Sequence, residues 1–383
     1  MRAQADIVQT RPPSEPARRI AFLDGWRVVA IALVVLDHIS LNPRIGEFYA
    51  AHSLGFLADY GEVGVFIFFF ISGYVVSLTA FNELAATQRF SQAAFYVRRL
   101  FRIAPPLLAY LCACLALGVV GVIEFSPAHF FSGALYLCNS TAPYVACNWY
   151  TGHTWSLAFE EQFYLLFPLV FAFAERGEAP RLFRLFLAAG VAAIPFVFTL
   201  WWIGKIGCVV AYGLFFAGFL CARRGPAAFA GLEPVARPAL WLAALIVFMP
   251  RSAVDLLGLD EAGRAEAIAW YRLLHVAAIP ILVILSGRAA PGLRQFLADR
   301  RMTRLGKASY SFYLWQQLIA GLAVSDVAPA TELFALALLA LACVASFETA
   351  ERALIARGRL LSDRIRARAA DGGESGGRPA QDP

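Results

Sequence analysis

Charge is scarce in this chain. Asp, Glu, Lys and Arg make up 16% of its 383 residues against 60% hydrophobic ones, and the mean hydropathy is +0.62. A balance that apolar over this length excludes an ordinary soluble domain. Cysteine is sparse too. The seven cysteines form no CxxC pair and no Cys/His pattern at metal-ligand spacing, so neither a zinc-type site nor a dithiol redox site is indicated. Sheet-like alternation and internal repeats are also lacking, which leaves helices as the building unit.

What the chain has instead is a succession of long apolar runs, each able to cross about 30 Å of hydrocarbon as a helix. They predict an all-α fold, a polytopic transmembrane bundle of about ten helices. The runs lie near Phe22–Leu41, Gly61–Phe81, Leu100–Ile123, Thr154–Ala174, Phe183–Trp202, Ile206–Cys221, Pro238–Met249, Ile268–Leu285, Ser309–Val324 and Leu333–Ser346. The first run lacks a small-residue cleavage site and further spans follow it, so it reads as a retained helix rather than a signal peptide. Residues 1–19 read as a disordered N-terminus, 20–350 as the membrane domain and 351–383 as a basic, largely disordered tail.

Arginine marks every second connection. Arg89, Arg98, Arg99 and Arg102 follow the second run, Arg176, Arg181 and Arg184 the fourth, and Arg223, Arg224 and Arg237 the sixth. Arg288, Arg294, Arg300, Arg301, Arg304 and Lys307 follow the eighth. The positive-inside rule puts these connections and both termini of a multi-pass membrane protein in the cytoplasm. The formal net charge of +6 is accounted for by that topology, so membrane lipid and not nucleic acid is the expected surroundings.

Ionisable residues at bilayer depth are costly and point to function by default. Arg27 and His38 lie in the first run, eleven residues apart, which places them within roughly 20° of one helix face and about 16 Å apart along the axis. A snorkelling Arg and a core His bonded to a carbonyl would be the bland account. The pair suggests a cation near one membrane mouth and a proton acceptor deeper in. Ser72 and Gly73 sit in an aromatic run, where close helix packing explains Ser72 as well as a substrate contact does. Arg98 suits anchoring at the inner surface. Arg99 and Arg102, at i,i+3, form a two-guanidinium face suited to phosphate oxygens. Ser156, Glu160 and Tyr164 share one face by i,i+4 spacing, with Glu161 rotated away; Glu160 is equally a catalytic carboxylate or a structural partner of an Arg. Tyr310, Tyr313 and Trp315 taken singly suit an interfacial aromatic belt.

In this order the segments resemble membrane-bound acyltransferase family 3, the bacterial surface-polysaccharide O-acetylase group. Asp24, Gly25, Arg27 and His38 match the family's first helix, and Phe68, Phe69, Ser72 and Gly73 its second. Arg99, Arg102 and Pro105 match the Arg-x-x-Arg element, Thr154 to Tyr164 the Thr-Trp-Ser-Leu-x-x-Glu-x-x-Phe-Tyr element, and Ser309 to Trp315 the Ser-Tyr-Ser-x-Tyr-Leu-Trp element. Phe66 and Gln316 depart from the pattern, where relatives often carry Asp and His. No appended hydrolase-like domain is expected after the last helix.

The resemblance implies acyl transfer, commonly of acetyl, from cytoplasmic acyl-CoA to a hydroxyl of an outward-facing glycan or glycolipid. Acyl-CoA is then a co-substrate, with no permanently bound cofactor and no metal. His38 would be the base and Glu160 its orienting or proton-sharing partner. Arg27, Arg99 and Arg102 would hold the donor, and Asp24, Ser72, Trp155, Ser156, Tyr164, Tyr313 and Trp315 would line the pocket. A proton-coupled carrier or exporter using Arg27, His38 and Glu160 as a relay is the alternative. Cys138 and Cys147 bracket a polar loop that the topology puts outside the cytoplasm, where disulfides persist, and the turn formers between them favour a bridge.

Overall fold

The computed structural model describes residues 21–140, 142–175, 204–323 and 327–374. Among them there are helices and connections and no strand. The helices are α1 (Ala21–Ile39), α2 (Pro43–Ala51), α3 (Gly61–Thr87), α4 (Gln92–Val119), α5 (Pro127–Ala134), α6 (Trp149–Gly152) and α7 (Trp155–Glu175). They continue as α8 (Gly204–Arg224), α9 (Ala236–Val247), α10 (Glu261–Ala289), α11 (Pro291–Leu297), α12 (Arg300–Ala323), α13 (Pro329–Ser346) and α14 (Arg352–Glu374).

The all-α membrane class stands, but the count of about ten spans is not reached. Six helical segments among the described residues are long and apolar enough to cross a bilayer, or seven if α1 and α2, bent by 101°, form one span. The run at Phe183–Trp202 lies outside the described residues. Polarity explains a second shortfall. α12 starts with Arg300, Arg301, Arg304 and Lys307 and carries Gln316 and Gln317 inside the bundle, so its hydropathy falls below that of a lipid-facing helix. Helices that serve a polar interior are the ones a hydropathy count loses.

A second correction concerns the C-terminus. Within 351–383, read from sequence as largely disordered, residues 352–374 form α14. A π-type turn at Phe347–Glu351 carries α13 directly into it. The segment is rich in Arg, yet Gly358 and Ser362 are buried. A Cβ on Gly358 would stand 2.6 Å from Cβ of Phe101 in α4, so the missing side chain permits the close approach. Packing against α4 outweighs a composition that by itself favours disorder.

The centre of the bundle is aromatic. Phe69, Phe163 and Phe215 pack together, with the Phe163 and Phe215 rings stacked at 4.5 Å. Leu338 and Leu341 of α13 and Trp241 and Leu245 of α9 turn outward, as lipid-facing side chains do. α3 and α8 cross where both chains carry glycine, at Gly73 and Gly218. A Cβ on Gly218 would lie 2.6 Å from the Phe70 carbonyl oxygen, and one on Gly73 would strike the backbone of Phe215. This crossing sets the position of Ser72, one residue from Gly73. α12 runs parallel to α1, with Gly306 against the Asp24 backbone at one end and Gln316 bonded to His38 at the other.

The crossing makes a stability prediction. Gly218→Val should force α3 and α8 apart and cost about 1–3 kcal/mol, as overpacking does. Thermal unfolding of the detergent-purified variant should begin at a lower temperature than that of the wild type.

Candidate active site

The turn between α3 and α4 fixes the first part of the site. Ser91 caps α4 by accepting from the Ala94 amide at 3.3 Å, while the Ser91 amide donates to Glu83 Oε1 at 3.1 Å. Glu83 is buried, and its other oxygen accepts from Arg98 at 2.6 Å. With α4 so fixed, Arg99 and Arg102, three residues apart, both line one cavity of about 630 Å³. Arg98 lines it as well, although the sequence gives it only an anchoring role.

The far wall comes from α7 and α3. Ser156, Glu160 and Tyr164 recur every four residues and all line the cavity, together with Ser72. Glu160 Oε1 accepts from the Ser72 hydroxyl at 2.5 Å and from the Tyr164 hydroxyl. The Arg99 guanidinium lies over the Tyr164 ring, 4.3 Å from its centroid, a cation–π contact. Glu160 therefore accepts on one oxygen from two hydroxyls, beside a stacked cation. Glu161, rotated by about 100°, is not among the residues lining the cavity and stands within electrostatic reach of Tyr136.

Arg27 reaches the cavity from α1 and donates to Asp24 at 2.7 Å; Asp24 is fully buried. Asp24 thus stands behind the cavity as the counter-ion of Arg27. Removing one partner of such a pair leaves an uncompensated buried charge, which is strongly destabilising.

At the edge of the cavity comes a layer built on Tyr313, which lines it. Its hydroxyl lies 2.8 Å from Ser156 Oγ and donates to the His153 carbonyl at 2.8 Å. The His153 ring packs against Tyr110 and Tyr313, and among the described residues neither of its nitrogens has a hydrogen-bond partner. His38 is within electrostatic reach of His153 and does not line the cavity. Its Nδ1 is 3.0 Å from Gln316 Oε1, and its ring stands edge-on to Trp149 at 5.7 Å. The Gln316 amide nitrogen donates to Gln317 Oε1 at 3.3 Å and to the Tyr313 carbonyl at 3.5 Å, which leaves its oxygen for His38. With that oxygen as the acceptor, Nδ1 is the nitrogen that donates in this contact.

Ser72, Ser156, Tyr164 and Tyr313 of the expected pocket are therefore brought together, with Arg27, Arg99, Arg102 and Glu160. Three of the expected residues stand elsewhere, Asp24 behind Arg27 and the two tryptophans in the aromatic core. Trp155 is buried against Phe69 and Phe159, and Trp315 packs edge-on to Tyr110 at 5.5 Å. Their indole bulk is taken up by the aromatic core. Sequence reasoning missed Ser309, Glu83 and two arginines of α14, Arg359 and Arg366, all of which line the cavity. The seven-residue spacing of Arg359 and Arg366 was a readable helical signal, given a helix there.

Cys138 and Cys147 are joined by a disulfide, with their Cα atoms 5.8 Å apart. The bridged loop is tied to α7, since Asn139 Nδ2 donates to Gln162 Oε1 at 3.0 Å. Just after it, Asn148 caps α6, and the Tyr150 carbonyl accepts from Tyr110 at 2.7 Å. The loop so held leads straight to His153 and Trp155.

The acyltransferase-domain family model matches residues 20–349, and the chain belongs to that family, the one its motifs resemble. It is similar to O-acetyltransferase OatA of Staphylococcus aureus strains NCTC 8325 and COL, at 30% identity over 179 residues, 43% of this chain and 26% of theirs. The chain thus spans about a quarter of the length of these curated relatives. No solved structure gives a significant match. With its run of apolar helices, the chain is a multi-pass membrane protein of the acyltransferase class.

The bridge carries its own prediction. Peptide mapping without reduction should recover Cys138 and Cys147 as one linked pair, and replacing both by Ser should cost about 2–3 kcal/mol of stability in the chain-entropy account. Recovery of both as free thiols from inserted protein would remove the bridge.

Proposed function

We propose that the protein is an integral-membrane O-acyltransferase that moves an acyl group, acetyl in the first instance, from cytoplasmic acyl-CoA to a hydroxyl of an outward-facing glycan or glycolipid. The observation that carries this reading is the cavity itself. Arginines form one end, the Ser72–Glu160–Tyr164 cluster forms the wall, and the Tyr313–His153 layer separates it from His38. A donor with a polyanionic head, a long thin arm and a terminal thioester fits that sequence of environments. The names of the relatives agree with acetyl as the group carried.

The roles follow from the geometry. Arg99 and Arg102 take phosphate oxygens through guanidinium forks. Arg27, compensated by Asp24, adds a donor without adding a net buried charge. The pantetheine arm passes Glu160 and brings the thioester toward His38, from the side opposite the acceptor. His38 Nε2 takes the proton of the acceptor hydroxyl as its oxygen attacks the thioester carbonyl. The C–S bond breaks, and the imidazolium returns the proton to the leaving thiolate. Gln316 keeps Nδ1 protonated throughout, so Nε2 alone cycles. Glu160, Tyr164 and Tyr313 hold the polar path and limit the entry of bulk water.

The global test is mass spectrometry of surface glycans from a deletion strain, with and without complementation. Loss and recovery of an acetyl increment is expected, and an unchanged glycan profile argues against the acceptor class. Two substitutions test the site in membranes with labelled acetyl-CoA. His38→Ala should insert normally and lose about 10²–10⁴-fold in transfer rate; near-native turnover would remove His38 from the chemistry. Glu160→Gln should lower transfer more than Glu161→Gln, because only Glu160 accepts from Ser72 and Tyr164 at the cavity wall. The reverse order of sensitivity would contradict the facing of α7.

A further inference from the structure

The matched family region ends at residue 349, and α14 begins at Arg352. The helix is nevertheless built into the cavity. Ile355, Arg359, Asp363 and Arg366 lie along one of its faces, and all four line the cavity that holds Arg99 and Glu160. Two devices fix the helix there. Ser362 is fully buried and accepts from Arg98 at 2.6 Å, so the Arg98 fork grips Ser362 with one nitrogen and Glu83 with the other. Gly358 allows the close approach to Phe101.

The charge at this mouth is unbalanced. Arg98, Arg99, Arg102, Arg359 and Arg366 line it against the two carboxylates Glu83 and Asp363. Glu83 pairs with both Arg98 and Arg366, and Asp363 pairs with Arg366. Arg359 pairs with no carboxylate among the described residues. Five guanidinium groups around one opening, with a net excess of three positive charges by that count, make a site for more than one phosphate.

We infer that α14, although outside the family domain, forms the second half of the donor site, with Arg359 and Arg366 binding phosphate groups of acyl-CoA opposite Arg99 and Arg102. This rests on the acyl-CoA reading above and extends it to a C-terminal element. The two α14 arginines are recognition residues: they touch the head of the donor and take no part in the acyl step.

The test uses the full chain purified in detergent, with coenzyme A and phosphate-free pantetheine as probes in equilibrium binding. Arg359→Ala with Arg366→Ala should weaken coenzyme A by about 10- to 100-fold, the scale of lost charge-assisted hydrogen bonds, and leave pantetheine unchanged. The matched control is Arg357→Ala with Arg364→Ala, which removes equal charge from exposed positions of α14 outside the cavity. It should leave both probes near the wild-type values. Equal weakening by the two pairs overturns the inference in favour of general electrostatic attraction. Equal loss of coenzyme A and pantetheine overturns it in favour of a purely structural helix. Coenzyme A binding unchanged in the Arg359/Arg366 variant overturns it outright while sparing the donor reading. A wild-type protein that binds no coenzyme A overturns both.

Discussion

The Glu83 carboxylate is the point on which the arginine-rich end of this molecule is hung. It is buried near the end of α3, and it accepts from the Ser91 amide and from Arg98, with Arg366 at 3.5 Å. One anion thereby fixes the α3–α4 reversal, the first turns of α4 and the docking of α14. The desolvation of a buried ion pair can exceed its Coulomb gain. Its consequence is geometric. With Arg98 committed to Glu83 and Ser362, Arg99 and Arg102 are turned to the cavity on a helix whose rotation is settled. A buried charge network here specifies an arrangement more than it adds stability.

The polar interior is stratified along the bundle. After the arginines come Glu160 with its two hydroxyl donors, then Tyr313 between Ser156 and the His153 carbonyl, then the His38–Gln316 pair. In a medium where an unpaired polar group costs several kcal/mol, each layer is satisfied largely by its neighbours. His153 is the exception, a buried imidazole without a hydrogen-bond partner among the described residues, packed between Tyr110 and Tyr313. The glycine crossing of α3 and α8 holds Ser72 and Phe69 at the cavity, so packing and polarity are parts of one scaffold.

Much of this was legible in the sequence because helical spacing converts directly into facing. Arg99 with Arg102, and Ser156 with Glu160 and Tyr164, share faces as their intervals require, and Glu161 falls away as its rotation requires. Two things were not legible. Long-range partners cannot be read from spacing: Asp24 as the counter-ion of Arg27 was within reach at i,i+3, but Glu83 with Arg366 and His38 with Gln316 join residues more than 250 positions apart. Aromatic residues are equally opaque, because Trp155 and Tyr164 lie on one helix and only the packing around them decides which meets the cavity. Composition misled at α14, where arginines that look like a solvated tail form one wall of a cavity. Polarity misled on the number of spans, since α12 spends its hydropathy on the site.

Gln316 shows how a departure from a family pattern can be absorbed by physics. A histidine there would bring a second titratable ring against His38 and a proton position of its own to settle. An amide cannot titrate, and here its N–H groups donate to Gln317 and to the Tyr313 carbonyl, with its oxygen toward His38. Gln317 is in turn fixed by the Trp149 carbonyl at 3.0 Å, and Trp149 donates back to the Gln317 carbonyl at 3.1 Å while its ring borders His38. The orientation of His38 is thus passed from the α6 segment through two adjacent glutamines to a single ring nitrogen. The α6 segment follows directly on the disulfide-bridged loop, whose Asn139 is tied to α7. The loop, the glutamine pair and the imidazole therefore form one continuous chain of contacts, and in the mechanism we propose its far nitrogen is the one that meets the acceptor hydroxyl.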